Sequence, residues 1–199
     1  MSFFSRKSPG AEQTPALPYD PRSPEGLVAR WVQWVAAAGP LKNPVADETG
    51  EHAAVNQPDD IWFLAGSYGE RLERRCVVPA GRDLFLPAFN MWHAGADGPP
   101  PVMERASGTV VVDGQLLEPD VIATPVPFTV AGARLNGVTR SKRAIPTTVW
   151  GLWKLIPALP PGQHQLRVAG GDGYGFSVDV TYRLTVSDEV PASPYPANP

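Results

Sequence analysis

A chain of 199 residues with 43% hydrophobic content is long enough to bury the core of one domain without disulfides or a structural metal. Its 24 prolines and 19 glycines exclude a mostly helical protein, because so many prolines cannot sit inside helices or central strands. Seventeen basic against twenty acidic residues, a formal charge of −3, exclude a broadly basic nucleic-acid surface.

Residues 1–22 carry Pro9, Pro15, Pro18 and Pro21 without periodicity and are predicted to form a flexible N-terminal arm. The chain opens without the apolar run of a signal peptide, and no later stretch approaches transmembrane length, which predicts a soluble, cytoplasmic protein. A helix is expected over 23–39. Ser23 suits the N-cap, Pro24 the first helical position and Glu25 the positive end of the dipole. Leu27, Trp31, Trp34, Val35 and Ala38 recur at helical spacing until Gly39-Pro40 stops them. Val28 and Val32 widen the apolar face, so the helix should pack against a sheet. Trp31 and Trp34 could line a ligand groove, although such a stripe is more often core.

A polar loop follows over 40–60, and the period then changes from 3.6 to 2. Ile61 to Ala65 is a short apolar run consistent with a buried strand. Leu72, Arg74, Cys76 and Val78 alternate with Glu73, Arg75 and Val77, and Leu84-Phe85-Leu86 makes a further strand. The stretch from Phe89 to Arg105, with Asn90, Met91, Trp92, His93 and Met103, carries little strand signal and is expected to be a long loop. Trp and Met there suit an apolar or peptide ligand, or else Trp92 lids one end of the fold. Val110 to Val112 ends in Asp113-Gly114, a hairpin signal. Thr147 to Leu155 holds Trp150 and Trp153, and His164, Leu166 and Val168 alternate with polar neighbours. Phe176, Val178, Val180, Tyr182, Leu184 and Val186 share one face of a last strand whose other face is polar. The fold class expected is mainly β, an antiparallel β-sandwich of immunoglobulin-like or jelly-roll-like type with one N-terminal amphipathic helix. One domain spans 23–186, and 187–199 form a disordered Pro-rich tail.

No nucleophile elbow, P-loop or His-Glu-x-x-His stretch occurs. Gly171-x-Gly173-x-Gly175 resembles a dinucleotide loop but lies between two antiparallel strands, so it reads as a hairpin loop. His52 and His93, with Asp47, Glu51, Asp59 or Asp60, lack the short spacing of a metal-ligand pair. Cys76 stands alone, beside Arg74 and Arg75. Alternation puts Arg75 on the opposite face, and a buried small hydrophobe is the more usual role of such a thiol. Arg134, Arg140, Lys142 and Arg143 place four cations in ten residues, either a solvated loop tip or a docking patch for an acidic partner.

Several motifs occur together and in order: Trp62-Phe63-Leu64-Ala65-Gly66, Arg75-Cys76-Val77-Val78-Pro79-Ala80-Gly81, Val112-Asp113-Gly114, Leu159-Pro-Pro-Gly-x-His164 and Val180-Thr-Tyr-x-Leu-Thr-Val186. As an ordered set over about residues 24–186, the chain resembles a family of small bacterial and archaeal β-sandwich proteins of unassigned function, many of them exported. It departs from those in lacking an export signal. Among similar proteins are the peptide-binding helper proteins of crocagin biosynthesis, which hold a ribosomal precursor peptide for other enzymes to modify. The resemblance implies no reaction.

The function expected is therefore non-enzymatic binding of a peptide or other ligand, either along a strand edge or in an aromatic-lined groove. Partners would be a peptide, such as a precursor peptide with its modifying enzymes, and neither nucleic acid nor membrane. A homo-oligomer is compatible with this. Tyr68, Trp92, His93 and Trp150 would supply apolar and stacking contacts, and Arg75, Arg140, Lys142 and Arg143 would bind carboxylates. No catalytic residue, metal or cofactor is assigned. The alternatives are a small metal- or His/Cys-dependent enzyme, using His93 or His52 with Cys76, and a structural or assembly subunit.

Overall fold

A computed structural model describes residues 15–188. The tail beyond 188 and the first part of the arm, expected to be disordered and flexible, lie outside the described residues. Helix α1 (Pro24–Ala37) begins as the sequence dictates: the Ser23 hydroxyl accepts from the Gly26 amide, with Pro24 and Glu25 in the first turn. Ten strands follow: β1 (Trp62–Phe63), β2 (Arg71–Pro79), β3 (Leu84–Ala94), β4 (Ser107–Val112), β5 (Gln115–Leu117), β6 (Asp120–Ala123), β7 (Phe128–Val130), β8 (Ile145–Ile156), β9 (Gly162–Gly171) and β10 (Ser177–Ser187).

They form two packed sheets, a β-sandwich. The first is ordered β1-β3-β8-β6, with β7 also paired to β8, and the second β2-β10-β9-β4-β5. The sheets are mixed rather than wholly antiparallel: β1 runs parallel to β3, and β2 parallel to β10. The inter-sheet core is built from residues such as Leu86, Trp150, Leu152, Val168, Val180 and Leu184. Helix α1 covers the other face of the first sheet, where Trp31, Val35, Phe63, Phe85, Phe128 and Trp153 form a second core.

This layering explains the sequence texture. The first sheet is covered on both faces, so β8 is buried without interruption from Thr147 to Trp153. The second sheet has one wet face, so β10 alternates. Its polar face carries Arg71–Asp179, Arg167–Asp179 and Arg183–Glu73 ion pairs. Residues 15–22 of the arm are docked and not free: Gln33 Nε2 donates to the Pro15 carbonyl, and the Tyr19 hydroxyl bonds to Val126. Among the described residues, no helix is long and apolar enough to cross a membrane.

The second half of β3 differs from the sequence expectation. Phe89 to Ala94 is not loop; it continues β3 after a bulge between Pro87 and Phe89. The extra residue, Ala88, breaks the alternation that a strand would show and sits against Gly108 and Gly170 of the second sheet. A Cβ on Gly108 would lie 2.8 Å from the Ala88 Cβ, and one on Gly170 would lie 2.6 Å from the Ala88 carbonyl oxygen.

Candidate functional site: an open strand edge beside an apolar groove

The edge of β3 opposite β8 is only partly occupied. The carbonyls of Asp83 and Phe85 accept from the amides of Trp62 (2.8 Å) and Leu64 (3.0 Å), and there β1 ends. Beyond Phe85 no strand pairs with this edge among the described residues. Past the bulge, the Gly95 amide donates to the Pro146 carbonyl (2.7 Å), which fixes the ladder phase: Phe89, Met91 and His93 face β8. The backbone N–H and C=O groups of Asn90 and Trp92 therefore point to the free edge. The outer edge of β1, by contrast, is closed by Gln57, whose side chain accepts from the Phe63 amide and donates to its carbonyl.

Along this free edge runs a groove of about 190 Å³, mostly apolar. Its floor is β3 from Pro87 to Trp92. Trp31, Val45 and Tyr68 form one wall, and Phe176 and Val178 from the β9–β10 hairpin form the other. The Trp31 indole is held by its bond to the Leu64 carbonyl (2.9 Å), and Trp92 packs 6.4 Å from it, centroid to centroid.

The wall holding Gly66 to Tyr68 is positioned by Arg74. This side chain is 1% exposed and reaches no carboxylate. Its guanidinium instead donates to the carbonyls of Val45 (2.9 Å), Asp47, Ala65 (3.1 Å) and Gly66 (2.9 Å), and to the Tyr182 hydroxyl (2.8 Å). Arg74 thus ties three separate segments together behind the groove. The sequence placed Arg74 on the inner face of β2, but the five acceptors come from residues distant in the chain and leave no local signal.

Tyr68 is shared with a second, more polar pocket of about 230 Å³ that also includes Asn43, Asn136, Gly137 and Arg140. Burial pushes the Tyr68 phenol above its ordinary range, against the opposing effects of the Asn43 hydrogen bond and the Arg140 charge. The loop carrying Arg140 is organised by Asn136, fully buried, whose carboxamide bonds to Ala133, Thr139 and Ser141 and accepts from the Val138 and Thr139 amides.

Tyr68, Trp92 and Arg140 are thus brought to one place, and the other expected site residues are not. Trp150 is 5% exposed and faces the inter-sheet core against Phe89. His93 lies opposite Thr148 on that same face of the sheet, its Nε2 buried without a partner, and does not line the groove. Arg75 lies on the wet face of the second sheet beside Glu73. Lys142 and Arg143 are exposed beyond the polar pocket. Phe176 and Asn43 were missed by the sequence reading, since one looks like strand core and the other like the turn dipeptide Asn43-Pro44.

Among the described residues no three His, Cys, Asp or Glu side chains could hold a metal ion. The Asp47 carboxylate is taken up by the amides of Thr49, Gly50 and His52. Burial pushes the Cys76 thiol up to about 12, with Asp47 adding to the rise and Arg74 opposing it, so the nucleophilic thiolate is suppressed. No protein-family model, curated protein or solved structure matches the chain.

Proposed function

We propose that this protein binds a peptide without transforming it, by adding an extended segment to the free edge of β3. The observation that carries this reading is the juxtaposition of an unpaired strand edge at Asn90 and Trp92 with an apolar groove of side-chain size. Backbone pairing would supply affinity, and alternate side chains of the segment would enter the groove. Burying one such apolar side chain is worth about 1.5–3 kcal/mol, so a few make a useful complex. On the motif resemblance to the crocagin helper proteins, the segment would belong to a ribosomal precursor peptide presented to modifying enzymes.

Calorimetric titration with a pool of N-acetylated hexapeptides, apolar at alternate positions with threonine between, tests the reading. Binding is expected, and N-methylation of alternate peptide amides should abolish it by removing the ladder donors. Trp92→Ala and Tyr68→Ala should each weaken binding roughly tenfold or more, in line with lost aromatic contact. No binding, or binding indifferent to N-methylation, would remove strand addition as the mechanism.

A further inference from the structure

The polar pocket behind Tyr68 is lined without a carboxylate, and the Tyr68 hydroxyl and Arg140 border it. The buried Asn43 carboxamide donates to the Tyr68 hydroxyl oxygen (3.4 Å), leaving the hydroxyl proton without an acceptor among the described residues. Arg140 borders the same space, with its backbone in the left-handed region at φ 56°, which an arginine adopts only at some cost. The buried Asn136 carboxamide bonds to the loop on both sides of Gly137 and so holds that conformation. Gly137 is required there: a Cβ would collide with the Tyr68 hydroxyl and lie 2.6 Å from Asn43 Nδ2.

Tyr68 feels the Arg140 charge and, more weakly and in the opposite sense, that of Glu70. Arg22, Arg30, Arg71, Arg75, Arg82, Lys154, Arg167 and Arg183 each have an acidic partner. Arg134, Arg140, Lys142 and Arg143 have none among the described residues. Arg74 and Arg105 also lack an acidic partner among the described residues, but Arg74 is spent on carbonyls and Arg105 lies over the Tyr174 ring. The loop carrying the other four borders the polar pocket through Arg140, where an anion would meet a local excess of positive charge.

We infer that this pocket takes the C-terminal carboxylate of the bound segment. The inference rests on the peptide-binding reading above and adds which part of the peptide is read. Tyr68 belongs to both the groove and the polar pocket, so a segment in the groove can present its end there. A free amine beside Arg140 is repelled, and a carboxylate is attracted. The protein thus reads the end of a chain rather than its interior.

The hexapeptide pool, as free acids, as C-terminal amides and as amides ending in aspartate, tests this by calorimetry at low and high salt. The free acids should bind at least tenfold more tightly than either amide, with the advantage shrinking as salt rises. Arg140→Gly, which suits the left-handed backbone and spares the loop, should bring the acid-to-amide ratio close to one, as should Gly137→Ala by filling the pocket. Equal binding of acid and amide overturns the inference while leaving strand addition standing. Equal binding of the aspartate-ending amide assigns the pocket to an internal side chain and also overturns it. Failure of every form to bind overturns both readings together.

Discussion

Arg74 shows how one residue can hold a site it does not touch. Its charge is dispersed over four carbonyls and a phenol, with no counter-carboxylate, and these acceptors tie the 45–47 and 65–66 segments to β10. Arg74→Ala leaves those buried acceptors unsatisfied and is expected to cost about 3 kcal/mol or more in urea unfolding. A second residue-scale device is His164, whose Nδ1 bonds to Asp113 (2.7 Å) and Nε2 to the Pro160 carbonyl (2.8 Å). Both ring nitrogens face acceptors, so the folded protein favours the imidazolium. The Asp113 bond raises the His164 pKa above its ordinary value, and that bond lowers the Asp113 pKa. A raised folded pKa gives stability that is full below about 6.5 and lost as pH rises through the folded value. The lowered Asp113 value works at the other end, its contribution lost as pH falls below about 4. The urea midpoint of the wild type should therefore decline above neutrality, and His164→Gln should flatten that limb; an unchanged profile would show the pair does not titrate on folding. Cys76, with its thiol pushed up to about 12, should resist alkylation at pH 8 until the protein is unfolded.

At the scale of elements, the approach of β3 to the second sheet depends on two residues without a side chain. Gly170→Ala brings a methyl group onto the Ala88 carbonyl and should destabilise the fold by about 1–3 kcal/mol, measured by thermal or urea unfolding, with Gly108→Ala acting in the same sense. The elements also show what the sequence made legible. β10 could be read residue by residue because one of its faces is wet, and α1 because its cap and stop signals are local. The second half of β3 could not. The Leu84-Phe85-Leu86 run is followed by Pro87, and Ala88 and Phe89 then spoil the period-2 pattern because both are buried at the bulge. β6 and β7 were hidden for a related reason, as short runs among Pro119, Pro125 and Pro127 that pair only with β8. The site was half legible: Tyr68, Trp92 and Arg140 were identified from residue type, but only tertiary packing separates them from Trp150, His93 and Arg75.

At the scale of the whole molecule, three layers leave the first sheet covered above and below, with its β3 edge unpaired beyond Phe85 among the described residues. Exchange of backbone amide protons should reflect this. β8, central and buried on both faces, should exchange most slowly, while the amides of Asn90 and Trp92 should exchange quickly in the free protein. Addition of a binding hexapeptide should protect those two amides selectively. Protection spread evenly over the fold would instead indicate general stabilisation by a ligand bound elsewhere.

The bulge at Ala88 acts on the strand as a single-base insertion acts on a reading frame. Every side chain after it is displayed to the face opposite the one it would otherwise occupy, which is why Trp92 lies against Trp31 and His93 lies on the side of Trp150. Deleting Ala88 would let Pro87 and Phe89 pair consecutively with Trp153 and Leu152 and leave both side chains where they are, whereas drawing Ala88 into the ladder would exchange them, presenting an imidazole to the groove and an indole to the space between the sheets. The chemistry this surface offers to a partner is therefore set by whether Ala88 is bulged or paired as much as by the identity of the residues in β3.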